Sequence, residues 1–308
     1  VKRLVRIAFL AVALGFGAWV VARQWEEIRA GFARLSWQSL VLSLVAVVAA
    51  LCSGMMTWRA LLADLGSPLP FRPAAKVFFV GQLGKYIPGS LWPVLAQMEM
   101  GRELGVPRPR SAAAFFLTMP VQLGSGLMIS GVTLLTALPG SVAPYAWVFL
   151  LIPLLAVVFE PRVINAVLGF GLRKLKREPL ERPLTRRGML TALGWALLGW
   201  TAYGLHLAAV LHEFGPSGVS AVVFSVGAFA LSWCLGIMTF VVPAGAGVRE
   251  AAMVVVLAPV LDRGSAIAVA LCSRIVIILG DLVCAGAAGL SARRAVDPRR
   301  DPDPGKAV

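Results

Sequence analysis

Charged residues are scarce in this chain. Only 14% of its 308 residues are Asp, Glu, Lys or Arg, with 15 acidic residues against 29 basic ones. Histidine occurs twice, at His206 and His212, and cysteine four times, with no C-x-x-C spacing. A soluble domain needs a polar surface that a chain 58% apolar, with positive mean hydropathy, does not supply. Cys52, Cys234, Cys272 and Cys284 all fall inside apolar runs and read as small packing residues, so neither a disulfide framework nor a metal site is expected. Also missing are H-E-x-x-H, a nucleophile elbow, and the Walker and Rossmann glycine patterns. No group of carboxylates marks a metal-dependent transferase. The expectation is a protein that is not an enzyme and uses no cofactor.

Long apolar runs are abundant: Leu4–Val21, Leu40–Met56, Ala112–Leu138, Tyr145–Phe159, Met189–Leu211, Val219–Val242 and Ser265–Leu290. Most meet or approach the ~20 residues that a helix needs to cross a bilayer. The fold class is therefore an all-α polytopic membrane protein. Lys2, Arg3 and Arg6 precede the first run, but no convincing cleavage site closes it, so it is expected to be retained as a span. The basic residues cluster between spans, most densely at Arg173, Lys174, Lys176, Arg177, Arg182, Arg186 and Arg187. That distribution fits topology setting and anionic lipid heads rather than nucleic acid.

Threading the chain with its N-terminus inside gives spans at 4–22, 38–58, 111–138, 145–165, 188–211 and 265–290. Two segments break this pattern. Residues 73–102 are interrupted at "GKYIPGS", and their leading arm, Pro73–Lys85, reaches only about 20 Å as a helix. A re-entrant hairpin entering from the cytoplasm fits its basic flanks. Residues 219–261 are interrupted at "VVPAGAGVRE", with a leading arm long enough to cross alone. Reading this segment as a hairpin from outside keeps the basic tail in the cytoplasm. Four of the 29 Lys and Arg (Arg23, Arg29, Arg34 and Arg263) then lie outside. Three lie within membrane segments (Lys85, Arg249 and Arg274), and the rest face the cytoplasm.

About six full spans and two hairpins result, within one domain over 1–295 followed by a disordered cytoplasmic tail, 296–308. The units span–hairpin–span read as an inverted repeat, the plan of alternating-access transporters.

Non-helical backbone at membrane depth persists only where it is buried in protein or lines a wet cavity. Each break therefore predicts a polar interior, with Lys85 at the first and Arg249 and Glu250 at the second. Free N–H groups at the start of each second arm favour anions. Two readings of Lys85 stand, head-group binding or snorkelling from a helix end to the cytoplasmic surface. Two also stand for Arg249 and Glu250, substrate binding or a local ion pair pinning the hairpin tip. Arg274 and Asp281, seven apart on one face of the last span, are expected to pair with each other or with a neighbour. His206 reads as an interhelical hydrogen bonder, and Glu99 as a partner of Arg102. Gln82, Gln97, Glu99 and Gln122 are candidates to line the cavity, with helix bridging as the other reading of the amides, and Trp19, Trp25, Trp37, Trp58 and Trp147 read as interfacial anchors.

The paired breaks also carry a resemblance. "GQLGKYIPGSLWPVLAQ" followed by "GVP", and later "VVPAGAGVREAAMVVVL", are similar to the two signatures of the flippase-like transmembrane family. That family is also named for the N-terminal membrane region of lysylphosphatidylglycerol synthase/flippase. The likeness covers roughly residues 1–295. It implies moving a lipid head group between leaflets, or a related lipid-handling role. With the threading, which puts both termini in the cytoplasm, and the cations at the breaks, the expectation is a translocase of the cytoplasmic membrane for an anionic phospholipid or a polyprenyl-phosphate-linked lipid. The resemblance marks Lys85, Tyr86, Pro88, Gly89 and Trp92, then Pro243, Gly245, Gly247, Arg249 and Glu250 as substrate-binding. Gln97 stands where relatives often place a further basic residue, a departure that bears on the substrate's charge. The chain ends in "DPRRDPDPGKAV" with no aminoacyl-transfer domain, so lipid aminoacylation is not expected. The alternatives are a membrane-embedded enzyme on a lipid-linked substrate, with Glu99, Glu250 and Asp281 as its carboxylates, or an accessory subunit of a lipid-modifying enzyme.

Overall fold

The computed structural model describes residues 25–86, 91–137, 159–174, 182–238 and 247–294, and among these every regular element is helical. The expected span 4–22, most of 145–165, the tail, and Pro88, Gly89, Pro243 and Gly245 lie outside the described residues. Ten helices follow in order: α1 (Trp25–Arg34), α2 (Trp37–Asp64), α3 (Phe71–Gln82), α4 (Trp92–Glu103), α5 (Arg108–Ala137), α6 (Pro161–Lys174), α7 (Arg186–Leu211), α8 (Gly218–Met238), α9 (Val248–Leu257) and α10 (Arg263–Arg294). Five are long and apolar enough to cross a membrane: α2, α5, α7 with its 3₁₀ extension to Phe214, α8 and α10. Their outer faces expose Leu42, Val45, Leu190, Leu198, Leu279 and Leu282, a surface that belongs in hydrocarbon.

Residues α2 and α7 form an antiparallel column that is tied at three levels. At one end Glu213 accepts hydrogen bonds from the Ser36 and Ser39 hydroxyls. In the middle Ser43 Oγ lies 2.6 Å from His206 Nδ1. At the other end the Asp64 carboxylate accepts from the Thr185 N–H at 2.6 Å and from its hydroxyl at 2.7 Å. Small residues let the backbones approach, as membrane helices require. A Cβ at Gly188 would fall 2.1 Å from Asp64 Cγ, and one at Gly199 would lie 3.3 Å from Ser53 Cβ. Each helix also has its own start signal. Ser36 caps α2 by accepting the Ser39 N–H, and Thr185 caps α7 by accepting the Gly188 N–H.

Two helix pairs are broken where the sequence marks them. In α3, 12 residues rise about 18 Å and end in a 3₁₀ turn, Leu83–Tyr86, and the 12-residue α4 returns alongside. Gly81 abuts Gln97 and Gly84 abuts Pro93 and Trp92, which fixes the pair as antiparallel. The second pair is unequal. α8, with 21 residues, rises about 31 Å and has the length to cross, whereas α9, with 10, rises about 15 Å. Gly236 lies against Arg249 where the two meet.

Helix pairing repeats across the molecule. α3 packs on α10 as α8 packs on α5, and α2 on α10 as α7 on α5. Likewise α4·α5 matches α9·α10, α3·α4 matches α8·α9, α2·α3 matches α7·α8, and α2·α5 matches α7·α10. The column α2·α7 maps onto itself.

Two sequence readings are corrected or extended. Trp58, expected at the interface, is 1% exposed and packs on Phe78 at 5.8 Å between ring centroids. It sits inward because α3 covers it, whereas Trp25 and Trp37 stay exposed. The helix α1, read from sequence as a connection, packs on α10 through Gly31 and Ala268.

Candidate functional site

At the first break, α3 tightens into its 3₁₀ turn and delivers Lys85 and Tyr86 to α10. Lys85 Nζ lies 2.7 Å from Asp281 Oδ2, and the Tyr86 hydroxyl donates to the same oxygen at 2.5 Å. Asp281 is 4% exposed and Lys85 keeps 28% exposure, so the pair sits below the protein surface. Removing one member of such a pair strands the other as a buried charge. The following helix, α4, starts without a side-chain cap, its Pro93 in the first turn where no N–H is needed.

At the second break, Gly247 adopts φ +85°, a conformation that L side chains rarely adopt, and opens α9. Glu250 reaches back to accept the Gly247 N–H at 2.6 Å, and its other oxygen lies 3.5 Å from Arg274 Nη1 on α10. Arg249 is placed differently. It is 7% exposed, its guanidinium stands 4.7 Å over the Phe229 ring, and it forms no salt bridge with any described residue. Phe229 is stacked in turn on Tyr203, with centroids 4.5 Å apart and planes 12° from parallel.

The two breaks therefore meet across α10. Arg274 and Asp281 do not pair with each other. Asp281 takes the first break's lysine and tyrosine, and Arg274 takes the second break's glutamate. Nor do Arg249 and Glu250 make an ion pair, since Glu250 turns toward Gly247 and Arg274. Lys85 lies within electrostatic reach of Arg249 and Arg274, and Tyr86 of Arg274 and Tyr203. Three cations, Lys85, Arg249 and Arg274, thus face two carboxylates, Asp281 and Glu250.

The other marked residues surround this group. Trp92 stands half exposed at the start of α4, Gln82 is half-buried at the end of α3, and Gln97 is fully buried against Gly81. His206 bridges α2 and α10, with Nε2 2.8 Å from Ser273 Oγ. Glu99 lies apart from the cluster on an exposed face, paired with Arg102 and Arg108 at 2.6 Å each. Hydrogen bonds from Arg108 and Arg102 hold its carboxyl below the usual carboxylate range. Among the described residues no group of His, Cys, Asp or Glu is placed to hold a metal.

Sequence reasoning missed Tyr203 and Phe229. Phe229 gives no signal inside its apolar run. Tyrosine is rarer, with three in the chain, and two of them, Tyr86 and Tyr203, flank the cluster.

Short helices broken in pairs around an interior cationic cluster define a polytopic membrane protein with a polar centre. Comparison with protein families makes the assignment specific. Residues 5–284 match the lysylphosphatidylglycerol synthase TM region, and the chain belongs to that family. No curated protein matches it significantly.

Proposed function

We propose that the protein is a lipid translocase that moves an anionic phospholipid or polyprenyl-phosphate-linked lipid between leaflets of the cytoplasmic membrane. The observation that carries this reading is Arg249. Placing a charge at the centre of a membrane helix costs about 2.5–3.5 kcal/mol on insertion scales, and such residues are functional candidates by default. Glu250 is adjacent in sequence yet engages elsewhere, which leaves the guanidinium fork free for a phosphate. Lys85 and Arg274 add charge to the same neighbourhood, and the excess of one cation favours an anion.

On this reading α3–α4 and α8–α9 are re-entrant hairpins, entering from opposite sides, and the two four-helix units are inverted repeats. Their matched pairings support this. The phosphate would sit between the hairpin tips while the tails remain in lipid, and α2 and α7, tied at three levels, would be the stationary column. Both termini would be cytoplasmic. An enzymatic reading draws little support from the carboxylates, because Glu99, Glu250 and Asp281 are each engaged by cations.

The test is leaflet exchange in vesicles holding purified protein and a fluorescent anionic phospholipid, read by quenching of the outer leaflet. Wild-type protein should accelerate exchange, and Arg249→Gln should slow it at least tenfold without loss of folded protein. Equal exchange in both would remove Arg249 from the mechanism, and no exchange by the wild type would sink the transport reading.

A further inference from the structure

The cations at the two breaks are held by different means. Lys85 is met by a carboxylate, that of Asp281, at 2.7 Å. Arg249 is met by a ring, its guanidinium carbon standing 4.7 Å from the Phe229 centroid. Phe229, on α8, is fully buried and is itself held by two side chains of α7. Tyr203 stacks on it with centroids 4.5 Å apart, and His206 meets it at right angles at 5.8 Å. Tyr203 lies in turn 6.1 Å from Trp200, which meets Trp233 of α8 at 5.1 Å. The ring under Arg249 is therefore anchored to the α2·α7 column through a run of aromatic contacts.

The sequence of α8 lays out the path to that ring. Phe229, Ser232 and Gly236 are spaced three and four residues apart, so they share one face of the helix over about two turns, roughly 10 Å. Arg249 starts at Gly236, where an added Cβ would fall 2.8 Å from Arg249 Cβ, and its guanidinium ends at Phe229. Ser232, between them, is small and fully buried, and its hydroxyl donates to the Ala228 carbonyl at 2.7 Å, so it makes no claim on the cation. The choice of a ring has a chemical consequence. A carboxylate takes up the N–H donors of the guanidinium, whereas a ring face attracts the charge and has no lone pair to accept them. The competing acid is close, because Glu250 is the next residue and lies within electrostatic reach, though it is engaged by the Gly247 N–H and by Arg274.

We infer that Phe229 is a positioning residue for anion binding: backed by Tyr203, its ring holds the Arg249 guanidinium away from Glu250, so that a phosphate meets an arginine whose donors are uncommitted. This inference rests on the proposed lipid binding at Arg249. A ring suits a ligand that must leave as well as arrive. The phosphate displaces no carboxylate on entry, and on departure the guanidinium keeps the ring as its partner. With the ring's hold weakened, the guanidinium turns to Glu250, and a phosphate must then break an ion pair to bind.

The experiment replaces Phe229 in the full chain by 4-fluoro-, 3,5-difluoro- and 3,4,5-trifluorophenylalanine, which draw charge from the ring face at nearly constant shape. Binding of phosphatidylmethanol, a monoanionic lipid, to the purified protein in detergent is read by native mass spectrometry. Affinity should fall stepwise with each fluorine, to about a tenth at three, the order of one desolvated cation–π contact. In the Arg249→Gln background, which already binds weakly, the same fluorines should change affinity by less than about twofold. A ring that only fills space would give a flat series in both. A flat series in the otherwise wild-type chain, or an equal fall in both backgrounds, overturns the inference and leaves lipid binding standing. A wild type that does not bind phosphatidylmethanol removes the anion site, and the inference with it.

Discussion

At the residue scale, the five ionisable groups at the centre divide into two kinds. Lys85 and Asp281 are a closed pair, steadied by Tyr86. Asp281→Ala strands a lysine and should cost about 3–5 kcal/mol in denaturation experiments, and Lys85→Met combined with Asp281→Leu should recover much of that. Arg249 is the opposite case, because no carboxylate among the described residues pairs with it. Arg249→Gln should leave the melting temperature unchanged or raise it while exchange falls, the signature of a residue held at a cost to stability for function. Loss of folding in Arg249→Gln would make it structural. The peripheral Glu99 behaves simply. Its folded pKa is lowered, so any stability it contributes is present above about pH 4.3, its unfolded value, and is lost as pH falls through the folded value. Arg102→Gln with Arg108→Gln should bring its titration, followed by carboxyl NMR, back toward the ordinary value.

At the element scale, glycine decides how closely the broken helices can lie. A Cβ at Gly81 would stand 2.8 Å from Gln97 Cγ, and one at Gly236 would stand 2.8 Å from Arg249 Cβ. Gly236→Val should displace α9 from α8 and move Arg249 off Phe229, with exchange lost. Gly105→Ala, with nothing within 4 Å but a φ of +79°, should cost backbone strain alone and leave exchange intact. Vesicle exchange beside thermal denaturation separates the two. Much of this scale was legible in the sequence. The Gly and Pro clusters located both breaks, and apolar length located α2, α5, α7 and α10. The short amphipathic α1 was not legible, because 10 residues with two glutamates and two arginines read equally well as a connection. Partner choice was hidden too. Residues 274 and 281 share a face of α10, and that periodicity says nothing of which hairpin reaches each one.

At the scale of the whole molecule, the six matched helix pairings and the self-paired column describe two units with like packing, which the proposed reading takes as inverted about α2 and α7. In the sequence the inverted plan rests on charge distribution, because residue identity between the halves is slight and like packing comes through helix order and Gly/Pro breaks rather than through particular side chains. The threading makes a direct prediction. Single cysteines at Ser217 and Ser291, on the connection before α8 and near the end of α10, should react with an impermeant thiol reagent from opposite sides of the membrane. Labelling from the same side would refute the inverted arrangement.

Underlying all three scales is the proposal that two cationic elbows converge on one anion-binding site inside the membrane. The most direct measurement is an experimental structure in nanodiscs rich in anionic phospholipid, examined for phosphate density between the tips of α3 and α9. The expected result is a phosphate within hydrogen-bond distance, about 3 Å, of the Arg249 guanidinium. A dry, tightly packed Arg249, with phosphate only at the membrane surface, would contradict it.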